Sequence, residues 1–215
     1  MERWATFDCY GTLIDWNAGI RRELARLWGE ERADALLARY HELEPKAQAA
    51  EPMLSFRKVM GCVLARLDDV PAGEEDALGR SLPDWRAFPE VPEALAVARR
   101  RGWRLAILSN SDPDLIDASQ ERLGVPFDEV VVASEIGSYK PAHRHWGEFF
   151  ARTGASQDAH VHLGASLFHD IAPARELGLR TVWINRLGER ADPEPDRELP
   201  DLGGLADALE ELVPS

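Results

Sequence analysis

The nonapeptide Phe7-Asp8-Cys9-Tyr10-Gly11-Thr12-Leu13-Ile14-Asp15 organises the rest of this chain around it. The apolar run at 4–7 reads as a short buried strand that ends in a carboxylate. Gly11 and Thr12 turn the chain behind it, which puts Asp8 at the C-terminal edge of a sheet. Open α/β sheets bind their ligands at that edge. A carboxylate there can attack carbon or phosphorus and form an ester that water later cleaves. It can equally do no more than cap the turn that follows, and the nonapeptide alone does not choose.

Working outward, five β-rich apolar runs occur, at 3–7, 103–108, 129–133, 160–163 and 181–185. Helical patterns separate the later four. Asp112-Pro113 starts one that carries Leu115, Ile116, Ser119 and Leu123 on one face and stops at Gly124. Others cover 144–152, with Trp146, Phe149 and Phe150, and 171–177. This alternation predicts an α/β fold with a five-stranded parallel sheet and helices on both faces. Residues 16–86 break the rhythm. Ile20, Leu24, Leu27 and Trp28 form one helical stripe, Leu36, Leu37, Tyr40 and Leu43 a second, and Phe56, Val59, Met60, Val63 and Leu67 a third. A weaker helix covers 74–82. A helical insert placed directly after the first strand is expected to lie as a lid over the strand-edge site. Pro193, Pro195 and Pro200 mark an irregular surface segment, and 204–213 a last amphipathic helix.

The 215 residues carry 25 Lys and Arg against 38 Asp and Glu, a net charge of −13. That sign disfavours nucleic acid and anionic membranes as partners, since both need a basic face. Cys9 and Cys62 have no metal-ligand spacing and suit a reducing cytoplasm. No signal region or transmembrane run is apparent, so a soluble, cytoplasmic protein is expected. An acidic chain that handles a small anionic substrate has to concentrate its cations in one pocket.

Three more strand ends carry polar residues. Ser109 and Asn110 follow the second strand and can hold an oxyanion or carboxylate, or simply begin the Asp112 helix. Tyr139-Lys140-Pro141 follows the third, and Lys140 is a cation able to hold Asp8 ionised. Asp170 follows the fourth strand within 164–170. It can orient water, pair with Lys140, bind a cation, or N-cap the next helix.

An Asp, a Ser-Asn, a Lys-Pro and an Asp at successive strand ends resemble the motifs of the haloacid dehalogenase superfamily over nearly the whole chain. The resemblance implies a Rossmann-like core (1–15 and 87–215), a helical cap (16–86), and Asp8 as covalent nucleophile. Phosphatases of that superfamily place an acid/base Asp two residues after the nucleophile, where this chain has Tyr10. A halide leaves without a proton, whereas a phosphate ester's alkoxide does not leave well without one. Residues 8–15, Ser109-Asn110 and Trp183-Ile184-Asn185-Arg186 look like the L-2-haloacid dehalogenases, which use no metal or other cofactor. By that resemblance Asp8, Lys140 and Asp170 are catalytic. Tyr10, Thr12, Ser109, Asn110, Arg39 and Trp146 bind substrate, Arg39 and Asn110 taking the halide, and Trp16 helps to wall the pocket. The chain departs from the group at Trp146, usually Tyr, and at Ala165 and Leu167, usually Ser and Asn. Ser166 and His169 stand beside those positions. Two alternatives stay open: a Mg²⁺-dependent phosphatase using Asp8, the Tyr10 carbonyl and Asp170 as ligands, and a binding or regulatory module with weakened chemistry. Homodimerisation is left open as well.

Overall fold

Every residue of strand β1 (Arg3–Phe7) after Arg3 is buried, so the strand needs neighbours on both sides and layers on both faces. It finds them in a sheet completed by β2 (Trp103–Ser109), β3 (Glu129–Val132), β4 (His160–Gly164), β5 (Arg180–Ile184) and β6 (Arg197–Leu199). The computed structural model describes residues 2–50 and 54–214. The order across the sheet is β3-β2-β1-β4-β5-β6, and every pairing is parallel. The chain thus winds outward from β1 in both directions, and the cleft between the β1 and β4 ends is the topological switch point where α/β sheets bind ligands.

The sixth strand corrects the expectation of five. Arg197-Glu198-Leu199 lies at the sheet edge, half-buried at best, so it shows no apolar alternation. It is held by main-chain pairing to β5, extended by Asn185 N donating to Leu199 O at 2.8 Å.

Among the described residues four helices follow β1 with no strand among them: α1 (Trp16–Trp28), α2 (Glu30–Ala50), α3 (Phe56–Leu67) and α4 (Ala77–Ser81). Asp15 caps α1 by accepting from Ala18 N at 3.0 Å. The two strands of chain that join these helices to the sheet run side by side. Asp15 N donates to Arg86 O at 2.8 Å and Phe88 N to Leu13 O at 3.1 Å. The remaining helices are α5 (Val91–Arg100), α6 (Pro113–Leu123), α7 (Ala133–Ile136), α8 (Arg144–Thr153), α9 (Ala172–Glu176) and α10 (Leu205–Leu212). Helix α6 starts at Pro113 and stops at Gly124, whose φ of 71° is the left-handed stop the sequence suggests. The single helix expected at 171–177 is instead a π-helical turn, Leu167–Ile171, running into α9.

Side chains alternate across β1. Ala5 and Phe7 join the large core that includes the α1–α3 stripes. Trp4 faces the opposite core, with Trp146 and Phe149 of α8. Thr6 shares that second face and is fully buried, so its hydroxyl has to find partners there. Among the described residues no helix is long and apolar enough to cross a membrane.

Candidate active site

Asp8 follows the last residue of β1, and its N–H donates to Leu163 O at 2.9 Å, extending the β1–β4 pairing by one bond. The chain then reverses at Gly11, whose φ is +91° and whose absent Cβ would lie 3.1 Å from Trp16 Nε1. The positive φ favours glycine there, and the close Trp16 ring adds to it. The turn brings Thr12 back, so that its hydroxyl donates to Asp8 Oδ2 at 3.0 Å and accepts from Ala165 N at 2.9 Å. One side chain therefore ties the β1 end to the β4 end.

Lys140 is buried, and its ammonium has three protons to place. All three are placed: on Asp8 Oδ1 at 2.9 Å, Asp170 Oδ1 at 2.6 Å and Leu108 O at 2.7 Å. Asn110 fixes the Lys140 main chain from both sides, accepting from its N–H at 2.6 Å and donating to its carbonyl at 3.0 Å. Asp170 is brought close by Gly164, where a Cβ would fall 2.4 Å from the Asp170 Cβ. Asp170 Oδ1 also accepts from His162 Nε2 at 3.4 Å, while Oδ2 is buried without a partner among the described residues. Behind it a buried relay runs from His162 Nδ1 to Thr6 Oγ1 at 2.8 Å and on to His160 Nε2 at 2.8 Å.

Burial raises Asp8 to about pKa 6, with Asp170 adding repulsion and Lys140 opposing both. Burial alone would raise Asp170 too, but Lys140 and His162 outweigh it and hold that carboxyl well below the usual range. Lys140 is likewise penalised by burial, and the two carboxylates more than compensate, raising its pKa. At neutral pH the centre is an ammonium between two carboxylates, with Asp8 the softer acid of the pair. Asp8 is also the more open of the two, its side chain 14% exposed against 1% for Asp170. An ionised carboxylate held from behind and open in front is poised as a nucleophile.

Asp8 opens on a cavity of about 240 Å³, lined also by Tyr10, Trp16, Ser109 and Asn110. Of the expected site residues, Asp8, Thr12, Lys140 and Asp170 are joined by direct hydrogen bonds, and Tyr10, Ser109 and Asn110 line the cavity. Tyr10 presents its ring, since its hydroxyl turns into α6, 3.2 Å from Leu115 O and 3.0 Å from Ser119 Oγ. The Asn110 amide, at the cavity wall, also holds the Lys140 main chain.

Two expectations fail. Arg39 is exposed outside the cavity and donates to Leu67 O at 3.0 Å, at the C-terminal end of α3. It precedes buried Tyr40 by one residue and so points about 100° around α2 from it. Trp146 does not wall the pocket. It is fully buried on the far side of the sheet, its ring edge-on to His162 with centroids 5.0 Å apart. Two capping assignments also change. Asp170 sits within the π turn, and Ser166 is its N-cap, accepting from His169 N at 3.0 Å. The Asp112 carboxylate accepts from Phe56 N and Arg57 N, both at 3.0 Å, and so caps α3 rather than its own helix.

In place of Arg39, α2 offers His41, Glu44 and Gln48 to the cavity. Their signal was present in the sequence. Leu36, Tyr40, Glu44 and Gln48 recur every four residues, so a carboxylate and an amide continue the buried face after its apolar half. His160 and His162 were legible in the same way, as alternate residues on one face of a buried strand.

A family model of haloacid dehalogenase-like hydrolases matches residues 3–178. The chain is 30% identical over 224 residues to an (S)-2-haloacid dehalogenase of Pseudomonas sp. (strain YL), covering 95% of this chain and 93% of that protein. A phosphoserine phosphatase of Thermus thermophilus is 32% identical over 190 residues, covering 84% of this chain and 76% of that one. The fold is that of the L-2-haloacid dehalogenase from Xanthobacter autotrophicus, with a TM-score of 0.85 at 18% identity over 98% of this chain and 99% of that chain.

Proposed function

Since the chain belongs to the haloacid dehalogenase-like hydrolase family, we propose that it cleaves the carbon–halogen bond of short (S)-2-haloacids. Residues 1–15 and 87–215 serve as the catalytic core and 16–86 as the cap. Asp8 attacks C2 of the substrate, a carbon–oxygen bond forms as the halide departs with its bonding pair, and an aspartyl ester results. Water then adds to the carboxyl carbon of that ester, releasing the 2-hydroxy acid and a proton and restoring Asp8. Lys140 holds Asp8 in place and balances its charge, and Asp170 holds Lys140. Ser109, buried at the cavity wall, receives the substrate carboxylate. Tyr10 and Trp16 wall the apolar part of the substrate.

One observation carries this reading. The residue two past the nucleophile is Tyr10, and its hydroxyl is engaged by α6. No acid stands there to protonate an alkoxide, and a halide needs none. The reading requires no metal. The two free thiols, Cys9 and Cys62, suit a reducing compartment, and we assign the protein to the cytoplasm.

A second reading has one observation in its favour. Asp170 Oδ2 is a buried carboxylate oxygen without a partner among the described residues, and it is a donor of the kind Mg²⁺ takes. With Asp8 and the Tyr10 carbonyl it would hold the ion of a phosphatase. Chloride release from (S)-2-chloropropionate in EDTA, set beside phosphate release from phosphoserine in Mg²⁺, separates the two. Halide release that is indifferent to EDTA is expected. Phosphate release alone, dependent on Mg²⁺, overturns the dehalogenase reading.

A further inference from the structure

The reacting cavity has one cation for its anions. Among the described residues that line it, Lys140 is the only one charged positive at neutral pH, and no arginine is present. Lys140 already divides its protons between Asp8, Asp170 and Leu108 O. Facing it from α2 is a third carboxyl, Glu44, only 5% exposed. Gln48 Nε2 donates to Glu44 Oε1, and Asn110 Nδ2 lies 3.5 Å from Gln48 Oε1. A line of polar contacts thus runs from Glu44 through Gln48 and Asn110 to the main chain of Lys140. With Glu44 ionised, three carboxylates would meet an anionic substrate against a single ammonium. With Glu44 neutral, its carboxyl carries an O–H, which can donate to an anion.

We propose that Glu44 determines anion binding in this cavity, its neutral carboxyl donating a hydrogen bond to the carboxylate or halide end of the substrate. The inference rests on the reading of the substrate as a small anionic acid. Burial, with repulsion from Asp8, raises Glu44 to about pKa 7, so the binding-competent form is present near neutrality. Around it, Asp8 follows β1, Asn110 follows β2, Tyr139 and Lys140 follow β3, and His169 and Asp170 follow β4. Trp16 comes from α1, Tyr40, His41 and Gln48 from α2 itself, and Phe56 from α3. Burial lowers both His41 and His169, so neither supplies a second cation at neutral pH.

The sign follows. Substrate binding requires Glu44 protonated, so kcat/KM should fall about tenfold per pH unit above the Glu44 pKa, through KM rather than kcat. Glu44→Gln keeps an uncharged donor, and its kcat/KM should run flat across pH 7–9. His41→Gln, which removes the other titrating group of α2 in the cavity, should keep the fall. Isothermal calorimetry of propionate binding at pH 8, in two buffers of different ionisation enthalpy, should show proton uptake by wild type and none by Glu44→Gln. An alkaline fall retained in Glu44→Gln, or a wild type that binds propionate without proton uptake, overturns the proposal. Should Glu44→Gln not fold, uptake by both wild type and His41→Gln supports the proposal, and uptake lost in His41→Gln overturns it. Proton-coupled propionate binding with no haloacid turned over would sink the dehalogenase reading and leave this one standing. Turnover with a flat wild-type profile would do the reverse.

Discussion

Lys140 joins two carboxylates that would otherwise repel one another inside a protein of net charge −13. Removing one partner of a buried charge set typically costs about 3–5 kcal/mol, because the others are left uncompensated. Lys140→Ala should therefore lose stability of that order in denaturant unfolding, and its activity should fall because Asp8 needs a higher pH to ionise. In wild type the acid limb of the kcat/KM profile should lie at about pH 6, where burial has raised Asp8, with activity lost as pH falls below it. In Lys140→Ala that limb should move upward, and an unmoved limb would refute the role given to Lys140. Asp8→Asn should release no halide while keeping the wild-type circular dichroism spectrum. Asp8, Lys140 and Asp170 were legible because each lies in the segment that leaves a strand's C-terminal end, Asp8 directly, Lys140 beyond α7 and Asp170 within the π turn, and those ends converge in a parallel sheet. Arg39 was assigned by the resemblance, from its distance along the chain, and that distance does not fix which way a helical side chain points. Buried Glu44 and Gln48 resolve that direction.

At the scale of elements, the face of the sheet away from the four-helix insert is a polar seam set in an apolar layer. His160 and His162 are held neutral by burial, and Trp146 and Phe149 of α8 pack against them. Ionised Asp170 only accepts, so His162 Nε2 carries the proton and His162 Nδ1 is bare. The Thr6 hydroxyl then donates to His162 and accepts from His160 Nε2–H. The buried His160 Nδ1, which has no partner among the described residues, is therefore an acceptor rather than a stranded donor. Nitrogen-15 NMR should find both rings neutral with the proton on Nε2, and a δ tautomer at His162 would contradict this order. Trp146→Ala should cost about 3–5 kcal/mol in denaturant unfolding, the usual range for deleting a buried aromatic. The KM of the remaining folded protein should hardly change, and a raised KM at unchanged stability would return Trp146 to the pocket. Helix α5 buries Val91, Ala94, Leu95 and Ala98, a helical stripe that could have been read directly. Strand β6 could not, since main-chain bonds to β5 carry it and its side chains give no pattern.

For the whole molecule, net charge governs encounter with an anionic substrate. Like charges repel, and salt screens the repulsion over about 10 Å at 0.1 M. kcat/KM for 2-chloropropionate should rise with ionic strength up to about 0.15 M, while that for the uncharged 2-chloropropionamide stays level; a fall with salt would contradict the account. The alternation of strands and helices, and the place of the insert, were readable from hydrophobic period alone. How the insert is fastened was not, because the side chains that fasten it read as ordinary turn and helix-cap residues. Asp112 holds the first amides of α3, the Tyr139 hydroxyl donates to Leu54 O at 2.8 Å, and Asn110 reaches Gln48. These three attachments meet Gln48, Leu54, Phe56 and Arg57, with an Arg57–Asp114 ion pair beside them, whereas Arg122 holds Pro83 O near the two chain crossings, which lie together at 13–16 and 86–88. A hinge at the crossings would open the insert from the side held by Gln48, Leu54, Phe56 and Arg57. Such an opening would break those bonds and spare the main-chain pairs of the crossings. The amides of Phe56 and Arg57 should therefore exchange with solvent deuterium faster than those of Asp15 and Phe88, and faster still in Asp112→Ala.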